Sequence, residues 1–144
     1  MSYALDVNVL VYASDRSGPN AARAAKFLER CAADGEILCL AWTTVMGYLR
    51  IATHPAIFAA PLSPEEAMRN IEALLALPHA RLLTEEDGFW RIYRETAKRH
   101  SLRGNLVPDA HLAALLRQHG VRTLYTSDTD LRKFEFLDVR DPLA

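Results

Sequence analysis

Short apolar segments alternate with segments of helical periodicity along the whole chain, and this alternation limits the fold. Strands that alternate with helices are typical of βαβ units, in which helices cover both faces of a parallel sheet. The apolar segments are almost uninterrupted, as expected for strands covered on both faces. We therefore predict a three-layer α/β/α fold with a short, mainly parallel central sheet of four to five strands. The predicted strands are 2–6, 36–41, 81–84 and 121–126, with a short last one at 136–139.

Local signals set the predicted helix boundaries. Ser63-Pro64-Glu65-Glu66 places an N-cap serine, a first-position proline and first-turn acids in the preferred order. Gly35 and Gly120 follow helical segments and end them. No repeat or linker interrupts the pattern, so we expect a single domain over residues 1–144. The predicted helices are 8–14, 21–33, 43–53, 64–77, 86–100 and 105–119.

Composition excludes several classes of protein. The net charge of -1 and the pI near 6.5 show no overall basic character of the kind that favours nucleic-acid binding. Net charge does not exclude binding by a local basic patch. Cys31 and Cys39 lie in apolar surroundings and are expected to be buried thiols rather than a disulfide. We see no signal peptide and no apolar run near the ~20 residues of a membrane span. We therefore expect a cytoplasmic protein that does not enter a membrane.

Four aspartates follow or adjoin the predicted strands. Asp6 ends the first strand, Asp128 and Asp130 follow the fourth, and Asp109 lies near the start of an otherwise apolar helix. Ligands of parallel sheets bind beyond the carboxyl ends of the strands, and all these residues can meet at that edge of the sheet. Carboxylates this close repel one another, and a hard divalent cation with oxygen ligands removes the conflict. We predict a Mg²⁺ or Mn²⁺ site, since no Cys/His set for zinc is present.

Each aspartate also has a purely structural explanation. Asp6 can cap the following helix, Asp109 can be a first-turn acid favoured by the helix dipole, and the other two can cap the next turn. Their joint placement at one sheet edge favours the metal site. Asn8 and Asn105 would then orient carboxylates or hold a metal-bound water.

Four segments together resemble the PIN domain, and more closely the VapC toxins of type II toxin-antitoxin pairs. They are LDVNVLVYA, YLRIATHP, RGNLVPDAHLAALLRQHG and LYTSDTDLRKF, in the order of that family. The resemblance implies a Mg²⁺- or Mn²⁺-dependent endoribonuclease that hydrolyses RNA with a metal-activated water. It also implies a homodimer neutralised by a small VapB-like antitoxin. Carried over by position, the metal carboxylates are Asp6, Asp109 and Asp128, with Asp130 alongside as a catalytic residue.

One usual acid of that family is missing here. PIN nucleases carry a further acid, most often Glu, on the helix after the second strand, but this chain has no Asp or Glu between Glu36 and Glu65. Gly47 fills the place, or Trp42 if the helix is aligned one turn earlier. Thr43 or Thr44 offers a hydroxyl there instead. We therefore expect one firmly bound ion rather than two.

An RNA backbone that approaches an acidic pocket needs basic groups on the rim. Trp42, Tyr48 and Trp90 have the chemistry to stack on bases, but we assign them to the core. The candidates for RNA contact are Arg50, His54, Arg103, Arg132 and Lys133.

Two other functions fit parts of the pattern. The Asp6-x-Asn8 pair faintly resembles the Asp-x-Asp of haloacid-dehalogenase-like phosphatases, but Asn8 stands where the second Asp is needed. A catalytically weak PIN fold that only binds an antitoxin or RNA is the other alternative, because one acid is missing.

Overall fold

The centre of the molecule is a five-stranded sheet in which every neighbouring pair of strands is parallel. The computed structural model describes residues 1–144. Its strands are β1 Ser2–Leu5, β2 Ile37–Ala41, β3 Ala80–Leu83, β4 Thr123–Tyr125 and β5 Asp138–Arg140. Their order across the sheet is β3-β2-β1-β4-β5, so the first strand is central and the chain winds outward in both directions. This confirms the predicted sheet.

Six α-helices and one 3-10 helix connect the strands, close to the predicted positions. The 3-10 helix, between β4 and β5, was not predicted. The α-helices are α1 Val7–Ser14, α2 Ala21–Asp34, α3 Trp42–Ala52, α4 Pro64–Leu75, α5 Phe89–Ala97 and α6 Leu106–Gln118, and the 3-10 helix is Thr129–Lys133.

The local start and stop signals explain where the helices begin and end. Ser63 and Glu66 form a reciprocal capping box at the start of α4. Gly35 ends α2 with a φ of 75°, a left-handed conformation that glycine adopts without strain. The predicted start of α5 at Glu86 is wrong because Gly88 has a φ of 82°, which is incompatible with a right-handed helix.

Both faces of the sheet are covered, which confirms the three-layer architecture. Tyr3 and Leu5 of β1 pack into one hydrophobic core with residues of α1 to α4, whereas Ala4 between them packs into a second core with α6. The same alternation holds in β2, as the period of two along a strand requires. Cys31 and Cys39 are buried and free, one in each core, as predicted.

The predicted burial of the aromatic side chains is only partly correct. Tyr48 is buried, with 2% of its surface exposed, but Trp42 is 45% and Trp90 is 67% exposed. Helices of an outer layer have one face turned to solvent, and these two tryptophans lie on such faces. Trp90 stacks on Tyr93, with ring centroids 5.6 Å apart.

None of the helices combines the length and the apolar character that crossing a membrane would require.

Candidate functional site

The carboxyl ends of β1 and β4 are neighbours in the sheet, and this brings the polar residues after them together. Leu5 pairs with Tyr125, and the backbone N–H of Asp6 donates to the Tyr125 carbonyl at 3.0 Å. Asp6 therefore lies beside Thr126, although 120 positions separate them. The prediction that the polar residues after the strands meet at one edge of the sheet depends on this pairing of β1 with β4.

Thr126 connects these residues through its hydroxyl. With only 1% of its surface exposed, it donates to Asp6 Oδ2 at 2.8 Å. The Thr126 hydroxyl oxygen also accepts from Asn8 Nδ2 at 2.9 Å and from the backbone N–H of Asp128 at 3.0 Å. One hydroxyl thus holds the end of β1, the start of α1 and the loop after β4 in a fixed arrangement.

Asp6 and Asn8 are held from both sides. Asp6 is the N-cap of α1, where its Oδ1 accepts from the backbone N–H of Val7 at 2.7 Å. Asn8 Oδ1 accepts from the backbone N–H of Ser127 at 3.2 Å, and its Nδ2 lies 3.4 Å from Asp6 Oδ2. The structural explanation of Asp6 as a cap is therefore correct, and it also fixes the carboxylate at the sheet edge.

Three carboxylates converge next to Asp6. Asp109, Asp128 and Asp130 each offer an oxygen, and these oxygens all lie within 4.8 Å of one another. Asp109 comes from the first turn of α6, and Asp128 caps the 3-10 helix by accepting from the backbone N–H of Asp130 at 2.9 Å. The acidic cluster, as we call these three residues, thus contains Asp130 itself, with Asp6 beside it.

Burial and mutual repulsion change the acidity of these groups. Burial, followed by the charges of Asp128, Asp6 and Asp130, raises the pKa of Asp109 to about 6, and Lys133 opposes this. Burial raises the pKa of Asp6 as well, although hydrogen bonds from Thr126 and Val7 lower it. The carboxylates of this site therefore lie close enough to disfavour the charged form of Asp109.

The donor set fits a hard divalent cation. Mg²⁺ and Mn²⁺ prefer oxygen ligands such as carboxylates, and the acidic cluster offers three of them without a histidine or cysteine. His111 lies on the same helix as Asp109 but contacts Glu85 instead, with Nε2 2.6 Å from Oε1.

The other predicted supporting residues form no hydrogen bond with the carboxylates. The Asn105 side chain is exposed and forms no capping hydrogen bond, and Thr44 is buried in α3 without a hydrogen bond to the site. Gly47, at the place of the missing acid, faces Val7, with 3.4 Å between an ideal Cβ and Val7 Cγ2. Any side chain here would thus point toward the residue that follows Asp6.

The predicted rim residues are all exposed, but they differ in position. Arg132 and Lys133 lie on the 3-10 helix that Asp128 begins, and Arg103 lies shortly before α6. No hydrogen bond or ion pair connects Arg50 or His54 to the acidic cluster, and His54 Nδ1 instead accepts from the backbone N–H of Ala56 at 3.0 Å. Their place on the 3-10 helix that Asp128 begins, and the effect of the Lys133 charge on the pKa of Asp109, favour Arg132 and Lys133.

Comparison with known proteins assigns the family. A model of the PIN domain matches residues 3–137. The chain belongs to the PIN-domain family. It is 46% identical over 144 residues to ribonuclease VapC48 of Mycobacterium tuberculosis, covering all of this chain and 99% of the relative. It is 36% identical over 139 residues to VapC ribonuclease Mb2897 of Mycobacterium bovis, covering 96% of this chain and 94% of the relative.

Solved structures agree on the fold of this PIN domain. It superposes on a chain of the promoter-bound VapBC2 structure from Rickettsia felis with a TM-score of 0.68. The two chains are 15% identical, and the match covers 98% of each. The PIN-like fold predicted from the strand pattern and the four segments is thus confirmed.

Thr126 is the residue of this PIN domain that the sequence reasoning missed. The available signal was a small hydroxyl residue directly after a buried strand and before an Asp-x-Asp, a place where a side chain meets the neighbouring strand end.

The Thr126 hydroxyl is expected to stabilise the whole strand-end network. Thr126→Val keeps the volume but leaves Asp6 Oδ2 and Asn8 Nδ2 without this partner, so we expect the free energy of unfolding to fall by about 2 kcal/mol. Urea denaturation measures it. The control is Thr96→Val, which is equally buried and loses only a hydrogen bond to the Ile92 carbonyl one turn back. Equal effects of the two substitutions would contradict this role of Thr126.

The raised pKa of Asp109 predicts how stability depends on pH. The folded protein binds a proton at Asp109 more tightly than the unfolded chain does, so this group makes the metal-free protein less stable as pH rises from about 4 to about 6. Urea denaturation in EDTA should show a smaller loss over this range for Asp109→Asn than for the native chain. Parallel profiles would show that Asp109 has an ordinary pKa.

Proposed function

We propose that this PIN domain is a metal-dependent endoribonuclease and the toxin of a VapBC-type toxin-antitoxin pair. The observation that carries the proposal is the acidic cluster, whose three carboxylates meet at the carboxyl edge of the sheet. Two relatives that align over almost the whole chain are ribonucleases.

The cofactor that fits best is one Mg²⁺ or Mn²⁺ ion held by Asp109, Asp128 and Asp130. Such an ion, when bound, polarises the phosphate and makes a water nucleophilic at neutral pH. We propose one ion rather than two because neither Gly47 nor Trp42 offers a carboxylate that would complete a second ligand set.

The side chains around the cluster supply orientation and charge. Asp6 contributes a fourth carboxyl group, and Thr126 and Asn8 fix it in one orientation. Because these partners are themselves buried or bonded to backbone, the Asp6 carboxyl group needs little rearrangement when a cation enters beside it. A group fixed in advance in this way requires less ordering at the moment of association.

The partners we propose are an RNA substrate, a small VapB-like antitoxin and a second copy of the chain. Trp42 and Met46 are 45% and 52% exposed on neighbouring turns of α3, and Ile57 is 50% exposed shortly after it. Apolar side chains of this size in the open favour a protein interface, and we assign this face to the homodimer. The reaction would take place in the cytoplasm.

The alternatives lack a supporting observation. Asn8, at the place of the second phosphatase aspartate, is used in hydrogen bonds to Thr126 and Ser127. A catalytically inactive module would not need to keep three repelling carboxylates together, because these lower stability without a cation.

Cleavage of RNA tests the proposal. With Mn²⁺ the purified chain should cut a labelled RNA, and EDTA should abolish the activity. Asp109→Asn and Asp6→Asn should each lower kcat/KM by about 100-fold or more, since even changes beyond the metal ligands cost 10- to 100-fold.

The matched control is Asp87→Asn, an exposed aspartate in the loop before α5, which should keep full activity. Equal cutting by the native chain and both site variants would indicate a contaminating nuclease, and the proposed function would then be wrong.

A further inference from the structure

A basic cavity of about 550 Å³ opens between the end of α5, the last turn of α6 and the end of the 3-10 helix. Its wall carries four cationic side chains: Lys98 and Arg99 after α5, Arg117 on α6, and Lys133 on the 3-10 helix. None of these was predicted as part of the site except Lys133. We call it the basic pocket.

The protein neutralises the cations of the basic pocket only in part. Only two carboxylates, Glu95 and Glu135, line the same cavity. The three ion pairs of the chain lie elsewhere, so none of the four cations has a carboxylate within 4.0 Å. Four cations against two carboxylates leave an excess of positive charge on a concave surface, and this excess attracts an anion into the cavity.

One of these cations is already oriented. The Arg117 guanidinium lies over the Phe136 ring, 5.4 Å from its centroid. Stacking holds the planar group in place while its N–H donors stay available, and this fork matches the oxygens of a phosphate. The basic pocket therefore favours a phosphate over a diffuse cloud of counterions.

The basic pocket adjoins the acidic cluster through the 3-10 helix. Asp128 caps the start of this helix and Lys133 is its last residue. Five residues of 3-10 helix rise about 10 Å, so the pocket wall and the metal ligands are about one turn and a half apart. A phosphodiester strand cannot approach four carboxylates without cations close by.

We propose that the basic pocket binds a backbone phosphate of the single-stranded RNA next to the bond that is cut. The proposal rests on the nuclease function proposed above and adds the path by which the RNA leaves the acidic cluster. Arg99 and Arg117 bind the phosphate, and Lys133 lies between it and the metal ligands. The contact reads no base, so it supplies affinity to any sequence.

Binding of RNA to the metal-free protein tests this without cleavage. The probe is a fluorescein-labelled 20-nucleotide RNA of mixed sequence, followed by anisotropy in EDTA from 50 to 250 mM NaCl. The variant is Arg99→Gln with Arg117→Gln. We expect its Kd to rise about 10-fold at 100 mM salt, and the slope of log K against log[salt] to become shallower by about 0.7, the value for one lost phosphate contact.

The chain offers a matched control on α2. Arg23→Gln with Arg30→Gln removes the same charge from two exposed arginines, one of which also lies over an aromatic ring, 5.7 Å from the centroid of Phe27. This control should keep the native Kd and slope. The proposal is wrong if both double variants behave alike, or if a poly-glutamate peptide competes for the pocket as well as RNA of equal charge.

The two proposals fail separately. If substitution of the site aspartates leaves RNA cleavage unchanged while the Arg99/Arg117 variant binds RNA more weakly, the nuclease function is wrong and the phosphate site stands. If cleavage depends on the aspartates while the Kd for RNA is unchanged in the Arg99/Arg117 variant, the proposed role of the basic pocket is wrong and the nuclease function stands.

Discussion

Repulsion among carboxylates at the end of a parallel sheet is the constraint on which this molecule depends. Strand pairing between β1 and β4 brings Asp6 to the loop that carries Asp128, and α6 adds Asp109. The fold tolerates this repulsion because the buried hydroxyl of Thr126 and the caps of two helices hold these segments in place. Burial first, and then this repulsion, raise the pKa of Asp109, and a bound cation would offset the repulsion.

The structural and functional explanations of the aspartates turn out to be compatible. Asp6 caps α1 and Asp128 caps the 3-10 helix, each through one oxygen that accepts a backbone N–H. A carboxylate has several lone pairs, so capping with one oxygen leaves capacity for a metal or a hydroxyl. The cap also fixes the rotamer of each aspartate, so the secondary structure itself orients these carboxylates.

The sequence was sufficient for the sheet, the helices and the convergence of the aspartates, because these follow from apolar periodicity and from the rule that parallel strands end at one edge. It was insufficient for Thr126, since a hydrogen bond across 120 positions depends on the exact strand register. The basic pocket was missed for a similar reason: Arg99 and Arg117 meet only because α5 packs on α6 and the 3-10 helix closes the third side. The sequence also ranked Asp6 above Asp130 as a ligand, whereas the oxygens that lie closest together include Asp130.

The central claim is that one divalent cation binds among Asp109, Asp128 and Asp130. Anomalous diffraction from crystals soaked in Mn²⁺ tests it most directly. We predict one strong peak about 2.1 Å from an oxygen of each of the three aspartates, and none in crystals of Asp109→Asn. Ordered carboxylates with no peak between them, or a peak held by other residues, would contradict the claim.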